Sequence, residues 1–421
     1  MALIRTVNAK PPLSATAPRG RLLLLALAFA ALTSGWTGFR LVGLNLADFF
    51  LVAAAILSAV SLAAGRVTLQ LRWQFLLLPA LVLMLMARDA IVFDRLPFQQ
   101  LTAALYTTGE SVGETAGGSA AFLGRILLCW TIIGVATSAF RDRKDALVRL
   151  AGFWSVGIGI SAVWTVVQYA AGLPDLPFLY HVDSAVRSVG LSNHPNSLAE
   201  TVCVAIPLFC HYAFGREKKV QLRMLAFIGL TAGVWSLFLS GSRAGLAMGL
   251  IAFVGSGVVR LRLSGRGIWG IPLGLLATAV GILVLPQVWA TTRFSAGSAQ
   301  LSNTARAQAL QEGFEIFVSH PILGAGLSSW LGEMVPLILL AGGGLLLFAV
   351  FYAGIGSVFV RGLRGSRDEL TAQLSWSACI VLMFGILNNG IVERYLYWPF
   401  ILAFFLTLNR ANNSSTSEAQ Q

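Results

Sequence analysis

Val335-Pro-Leu-Ile-Leu-Leu-Ala-Gly-Gly-Gly-Leu-Leu-Leu-Phe-Ala-Val-Phe-Tyr-Ala-Gly-Ile-Gly-Ser-Val-Phe-Val360 runs without one charged side chain. It exceeds the roughly 20 apolar residues that an α-helix needs to cross a hydrocarbon core. Comparable stretches lie near residues 22–38, 41–64, 73–92, 119–140, 148–171, 195–215, 222–240, 243–259, 268–290, 372–388 and 395–409. Together they predict an all-α, polytopic membrane bundle of about 12 transmembrane helices. Composition agrees, with 56% hydrophobic residues, 11% charged residues and a mean hydropathy of +0.75. Soluble domains carry about 25% charged residues. No composition break or internal repeat marks a second domain, so residues 19–410 read as one membrane unit. The tail, residues 411–421, lacks apolar residues to bury and reads as disordered, and the head, residues 1–18, reads the same way.

A formal charge of +12 would suggest a nucleic-acid partner in a soluble chain, but here alternate loops carry it. Arg5, Lys10, Arg19, Arg21, Arg66, Arg72 and Arg410, with the clusters at 141–149, 216–223, 260–266 and 361–367, hold 21 of the 30 basic residues. The positive-inside bias places these loops and both termini in the cytoplasm. Residues 173–194, the 240–243 turn, residues 291–333 and residues 388–394 then fall on the outer face. A basic stretch before Leu22 to Ala31, with small residues after it, has the outline of a signal peptide. The later loops fix the same sides with or without it.

Three polar motifs interrupt the hydrocarbon on that outer face: Arg187-Ser-Val-Gly-Leu-Ser-Asn-His-Pro-Asn196, Ser240-Gly-Ser-Arg243-Ala-Gly245 and His320-Pro-Ile-Leu-Gly-Ala-Gly326. Polar groups at membrane depth are costly, so clusters of them point to a site. Arginine suits phosphate, because its planar fork donates two hydrogen bonds and keeps its charge when desolvated. Arg187, Arg243, Arg293 and Arg306 could together neutralise a diphosphate, with Asn193 and Asn196 as amide donors. Pro195 is placed to begin a helix whose N-terminus favours an anion. Glu200, one turn beyond Asn196, is either a functional acid or the local partner of an arginine.

In the long outer loop, Leu310, Phe314 and Phe317 have helical spacing, and Ser302, Asn303 and Thr304 offer N-caps. This predicts an amphipathic helix on the outer leaflet, with Arg306, Glu312 and Glu315 turned to water or substrate. Gly342-Gly-Gly344 lies within a span and reads as a close-packing point. Cys129, Cys203, Cys210 and Cys379 fall inside spans and read as packing residues. No His/Cys grouping has metal-ligand spacing, so neither a metal nor another cofactor is expected.

Arg187-x-x-Gly190, Asn193-x-Pro-Asn196, Ser242-Arg243-Ala-Gly245, Arg306 and His320-Pro-x-x-Gly-x-Gly326, in this order across about residues 120–405, resemble the O-antigen ligase/polymerase superfamily. The resemblance implies a metal-independent membrane glycosyltransferase acting at the periplasmic face of a bacterial inner membrane. Its donor would be a polyprenyl-diphosphate-linked glycan, its acceptor a glycan or lipid, and a chain-length regulator and a flippase would be its protein partners. Arg187 and Arg243, with Arg306 third, would hold the diphosphate. The sequence departs from the family pattern where a His-Asn pair would activate the acceptor: counting back from Gly343 or Gly344 reaches Gly332 or Glu333. Glu333, His320 and Glu393 are therefore the candidate bases. Polymerisation of lipid-linked units for exopolysaccharide, capsule or O-antigen is the leading expectation, with ligation onto a lipid A core and solute transport as the alternatives.

Overall fold

The computed structural model describes residues 18–41, 44–69, 72–92, 123–176, 179, 187–215, 219–265, 297–327, 334–365, 368–388, 390 and 393–418. The described chain is almost wholly helical. The helices are α1 (Pro18–Thr33), α2 (Leu46–Ala63), α3 (Trp73–Val92), α4 (Leu123–Ser138), α5 (Lys144–Ala170), α6 (Pro195–Phe214), α7 (Val220–Ser240), α8 (Arg243–Leu263), α9 (Gly297–Ser319), α10 (Val335–Gly365), α11 (Glu369–Phe384) and α12 (Tyr397–Glu418). The strands β1 (Arg40–Leu41) and β2 (Leu44–Asn45) form a small antiparallel hairpin before α2.

Among the described residues, seven helices, α2, α3, α5, α6, α7, α8 and α10, are long and apolar enough to cross a membrane, and α1, α4, α11 and α12 are shorter apolar helices. Their number and length are consistent with a multi-pass membrane protein. The expected span at 268–290 and the head lie outside the described residues. At the other terminus, α12 continues through most of the polar segment that composition marks as disordered.

Burial organises these helices around α6. Fully 89% of the apolar window of α6 is buried, whereas α2, α3, α7 and α8 each bury well under half of theirs. It packs against α5, α7, α8 and α11, while α12 covers α4, α5, α10 and α11. The outer helices turn Ile56, Leu83, Met224, Phe227 and Trp235 away from the protein, as a lipid-facing shell does. Cys129, Cys203 and Cys210 are buried, Cys379 is half-buried, and all four are free thiols.

At the basic end, Lys144 lies 3.1 Å from Asp368, which caps α11 by accepting from the Thr371 amide. Burial works to raise the Asp368 carboxyl, but hydrogen bonds from Thr371 and Lys144 outweigh it and leave the group below the usual carboxylate range. His211 and Arg260 approach Glu369 at 3.6 and 3.9 Å, which keeps His211 at this end.

The opposite end is knitted by loops. The Gly-rich segment of α10 is broken at Gly344 (φ 65°, ψ −166°). The motif after α9 docks on the break: the amides of Ala325 and Gly326 donate to Ala341 and Gly342 carbonyls at 2.8 and 3.2 Å, and the Leu345 amide donates to Pro321 O at 2.9 Å. Gly324 also has positive φ, and a Cβ there would fall 2.5 Å from the Gly342 backbone. The expected close packing at 342–344 is thus made with a loop, because only glycine allows both the turn and the approach. From α3, the Arg88 guanidinium donates to the carbonyls of Leu323 and Gly324, and Asp89 accepts from the Leu327 amide at 2.8 Å.

Helix α9 begins at Gly297, upstream of the expected caps at Ser302 to Thr304, which lie inside it. It sits on α10 through Ala309 and Ile316, while Leu310, Phe314 and Val318 are exposed. Ala309, Gly313 and Ile316 therefore face the protein, and of the apolar stripe read from the sequence Leu310 and Phe314 face outward while Phe317 is half-buried.

Candidate functional site

The N-terminus of α6 gathers the first two motifs. Pro195 is at the first helical position, and His194 caps the helix through Nδ1, which accepts from the Asn196 amide at 3.0 Å. The Arg187 Nη2 donates to Asn196 Oδ1 at 2.9 Å and its Nε donates to Ser240 O at 2.7 Å. These bonds fix the plane of the guanidinium against the α7–α8 turn. That turn closes with Gly241 in the left-handed conformation, and Ser242 caps α8 by accepting from the Gly245 amide at 3.2 Å. Arg243, half-buried, is the first residue of α8. Two arginines and the N-termini of two helices thus converge on one patch, an arrangement suited to a multiply charged anion.

Asn193 has a different place. Its Oδ1 accepts from the Thr37 hydroxyl at 2.7 Å, and its backbone N–H donates back to Thr37 Oγ1 at 3.0 Å. With the Gly38 amide on Leu191 O, these bonds tie the 187–196 loop to the α1–β1 connection. Asn193 is a loop anchor, where the sequence offers it as an anion donor.

One turn into α6, the buried Glu200 is held by neutral donors: Asn388 Nδ2 and Tyr395 OH both donate to Oε2, at 2.8 and 2.9 Å. Among the described residues, the arginine partner that its spacing allowed is not one of its hydrogen-bond donors. Glu200 also lines a small, mostly apolar cleft between α6, α10, α11 and α12. Tyr352 lines the same cleft, and its hydroxyl is buried without a hydrogen-bond partner. Next along the chain, Arg394 forms a bidentate pair with Asp48, Nε to Oδ1 at 2.6 Å and Nη2 to Oδ2 at 2.5 Å, with Glu393 Oε2 3.8 Å from its Nη1. Glu393 is 15% exposed.

The structure therefore brings Arg187, Asn196, Arg243, Glu200 and Glu393 to one end of the bundle. His320 is exposed at the end of α9, where its hydrogen-bond partner among the described residues is Ser319, at 2.9 Å. Its motif serves the α10 break. Arg306 is half-buried on α9. Arg293 and Glu333 lie outside the described residues. Asn388, Tyr395 and Arg394 escaped the motif reading. One signal could have found the last: every basic residue outside the basic loops is an arginine, and Arg394 is among them.

No family model matches the chain, and neither does any curated protein.

Proposed function

We propose that this protein transfers or polymerises polyprenyl-diphosphate-linked oligosaccharide units at the periplasmic face of a bacterial inner membrane, for a surface polysaccharide. The observation that carries the reading is the convergence of Arg187 and Arg243 on the N-termini of α6 and α8, at the end of the bundle opposite the basic loops. In the proposed reaction an acceptor hydroxyl attacks the anomeric carbon of the donor, and the bond from that carbon to the phosphate oxygen breaks. The electron pair leaves on the diphosphate, where the arginines and helix dipoles stabilise the charge. The proton passes to a carboxylate. Of the candidate bases, Glu393 is the carboxylate found among the described residues, 3.8 Å from Arg394 and two residues before the Tyr395 that holds Glu200. Neither a metal nor another cofactor is needed for this chemistry.

Transport is the weaker reading. Transporter sites use broken helices whose freed backbone groups line a cavity at mid-membrane, whereas at the Gly344 break Pro321, Ile322, Ala325 and Gly326 take up those groups.

The deciding experiment supplies purified protein with a polyprenyl-diphosphate oligosaccharide. Growth of the glycan on its lipid supports polymerisation, transfer to lipid A core supports ligation, and no product with either acceptor sinks the transferase reading. Orientation has its own test. Cysteines placed at Ser184 and Gln300 are expected to react with an impermeant reagent applied from the periplasmic side, and cysteines at Arg143 and Arg364 are not. Labelling at 143 from that side would invert the topology and remove the site from the periplasm.

A further inference from the structure

Glu200 turns one oxygen to a loop. Among the described residues, both hydrogen bonds it accepts go to Oε2, from Asn388 Nδ2 at 2.8 Å and from Tyr395 OH at 2.9 Å. Gly390 lies against the same carboxyl: a Cβ there would fall 2.6 Å from Oε2 and 3.3 Å from Oε1, so only the lack of a side chain lets this backbone come so close. One acid on α6 thus meets the segment after α11 at three points, residues 388, 390 and 395.

Glu393 stands between those points. Its backbone N–H donates to Gly390 O at 3.0 Å, and its carbonyl accepts from the Leu396 amide at 3.3 Å, so the turn that presents it begins at one residue against Glu200 and ends beside another. On the far side, Arg394 is paired with Asp48 of α2. Glu200 is also one turn along α6 from Asn196, which holds Arg187. The start of α6 therefore grips the Arg187 guanidinium with one residue and the Glu393 turn with another. An acid 1% exposed is costly to bury, and an apolar contact would join the loop to α6 at less cost. Apolar contact lacks direction, whereas hydrogen bonds onto a single oxygen fix where the loop lies.

We propose that Glu200 is a positioning residue for glycosyl transfer, which sets the place of Glu393 relative to Arg187. The proposal rests on the transferase reading, in which Arg187 holds the donor diphosphate and Glu393 takes the acceptor's proton. Glu200 exchanges no proton with substrate. Its role needs an oxygen that accepts two hydrogen bonds, and a glutamine carbonyl offers one, with two lone pairs, at the same reach.

Two readouts on the full chain in lipid nanodiscs test it: backbone hydrogen exchange over residues 385–396, and initial rates with a polyprenyl-diphosphate oligosaccharide. Glu200→Ala is expected to speed exchange in that segment. It should also lower kcat by about tenfold to a hundredfold, with apparent KM within about threefold of wild type, since the reacting groups are misplaced while the donor is still bound. Gly390→Ala and Tyr395→Phe, which leave the acid in place, should act in the same direction, and they carry the comparison if Glu200→Ala does not fold. Glu200→Gln should keep most of the rate and the exchange pattern of wild type. Exchange unchanged in all three disrupting variants overturns the clamp. Faster exchange with unchanged kcat overturns the positioning role. A Glu200→Gln protein as slow as Glu200→Ala, with wild-type exchange, does so too, because the ionisable group and not the hydrogen-bonding oxygen is then essential. An inactive wild type sinks the transferase reading and any part of Glu200 in it, and the exchange comparison still decides whether the clamp exists.

Discussion

Arg187→Ala is expected to lower turnover of a polyprenyl-diphosphate donor by on the order of a hundredfold, the scale of losing one donor aimed at developing charge. Arg187 does not float in solvent. Asn196 and the Ser240 carbonyl hold its plane, so any hydrogen bonds it gives a phosphate come from a preset fork with little ordering cost. Arg243→Lys should lose most activity as well, although the charge remains, because an ammonium cannot reproduce two parallel bonds. Initial rates on purified variants, with thermal unfolding as the check on folding, measure both effects. Wild-type rates in either variant would reduce that arginine to a helix-end anchor.

Asp48→Ala is expected to cost about 3–5 kcal/mol of stability, since it leaves Arg394 buried with its main counter-charge gone. Asp48 is 0% and Arg394 5% exposed, so water cannot substitute for the lost carboxylate. The double variant Asp48→Leu/Arg394→Met should recover much of that loss, because it removes both charges and their desolvation together. Denaturant unfolding in mixed micelles compares the three proteins. A single variant as stable as wild type would mean that Glu393, at 3.8 Å, is counter-charge enough for Arg394.

Spans and motifs were legible in the sequence for a physical reason. A helix in lipid must be apolar along its length, so α2, α3, α5, α6 and α7 declare their approximate limits, and Pro195 declares the start of α6. The glycines at 342–344 declared a close approach but not its partner, since a loop that docks on a broken helix leaves no periodicity. Tyr395, Asn388 and the partner of Asp48 were hidden for another reason. They act through contacts between segments about two hundred or more residues apart, and no local spacing reports a pairing of that range. His320 drew attention by its residue type, yet its motif is spent on backbone geometry.

The docking of the 320–327 loop also has a schedule. Arg88 and Asp89 bond to Leu323, Gly324 and Leu327, which are more than 230 residues further along the chain. At ordinary synthesis speeds those partners emerge roughly 10–50 s after α3 has left the ribosome. Through that interval the two residues have each other, since Arg88 Nη2 lies 2.6 Å from Asp89 Oδ1. A charge pair built from adjacent residues is complete as soon as it is translated, so α3 can enter the bilayer near neutrality and wait for the segment that will close over it.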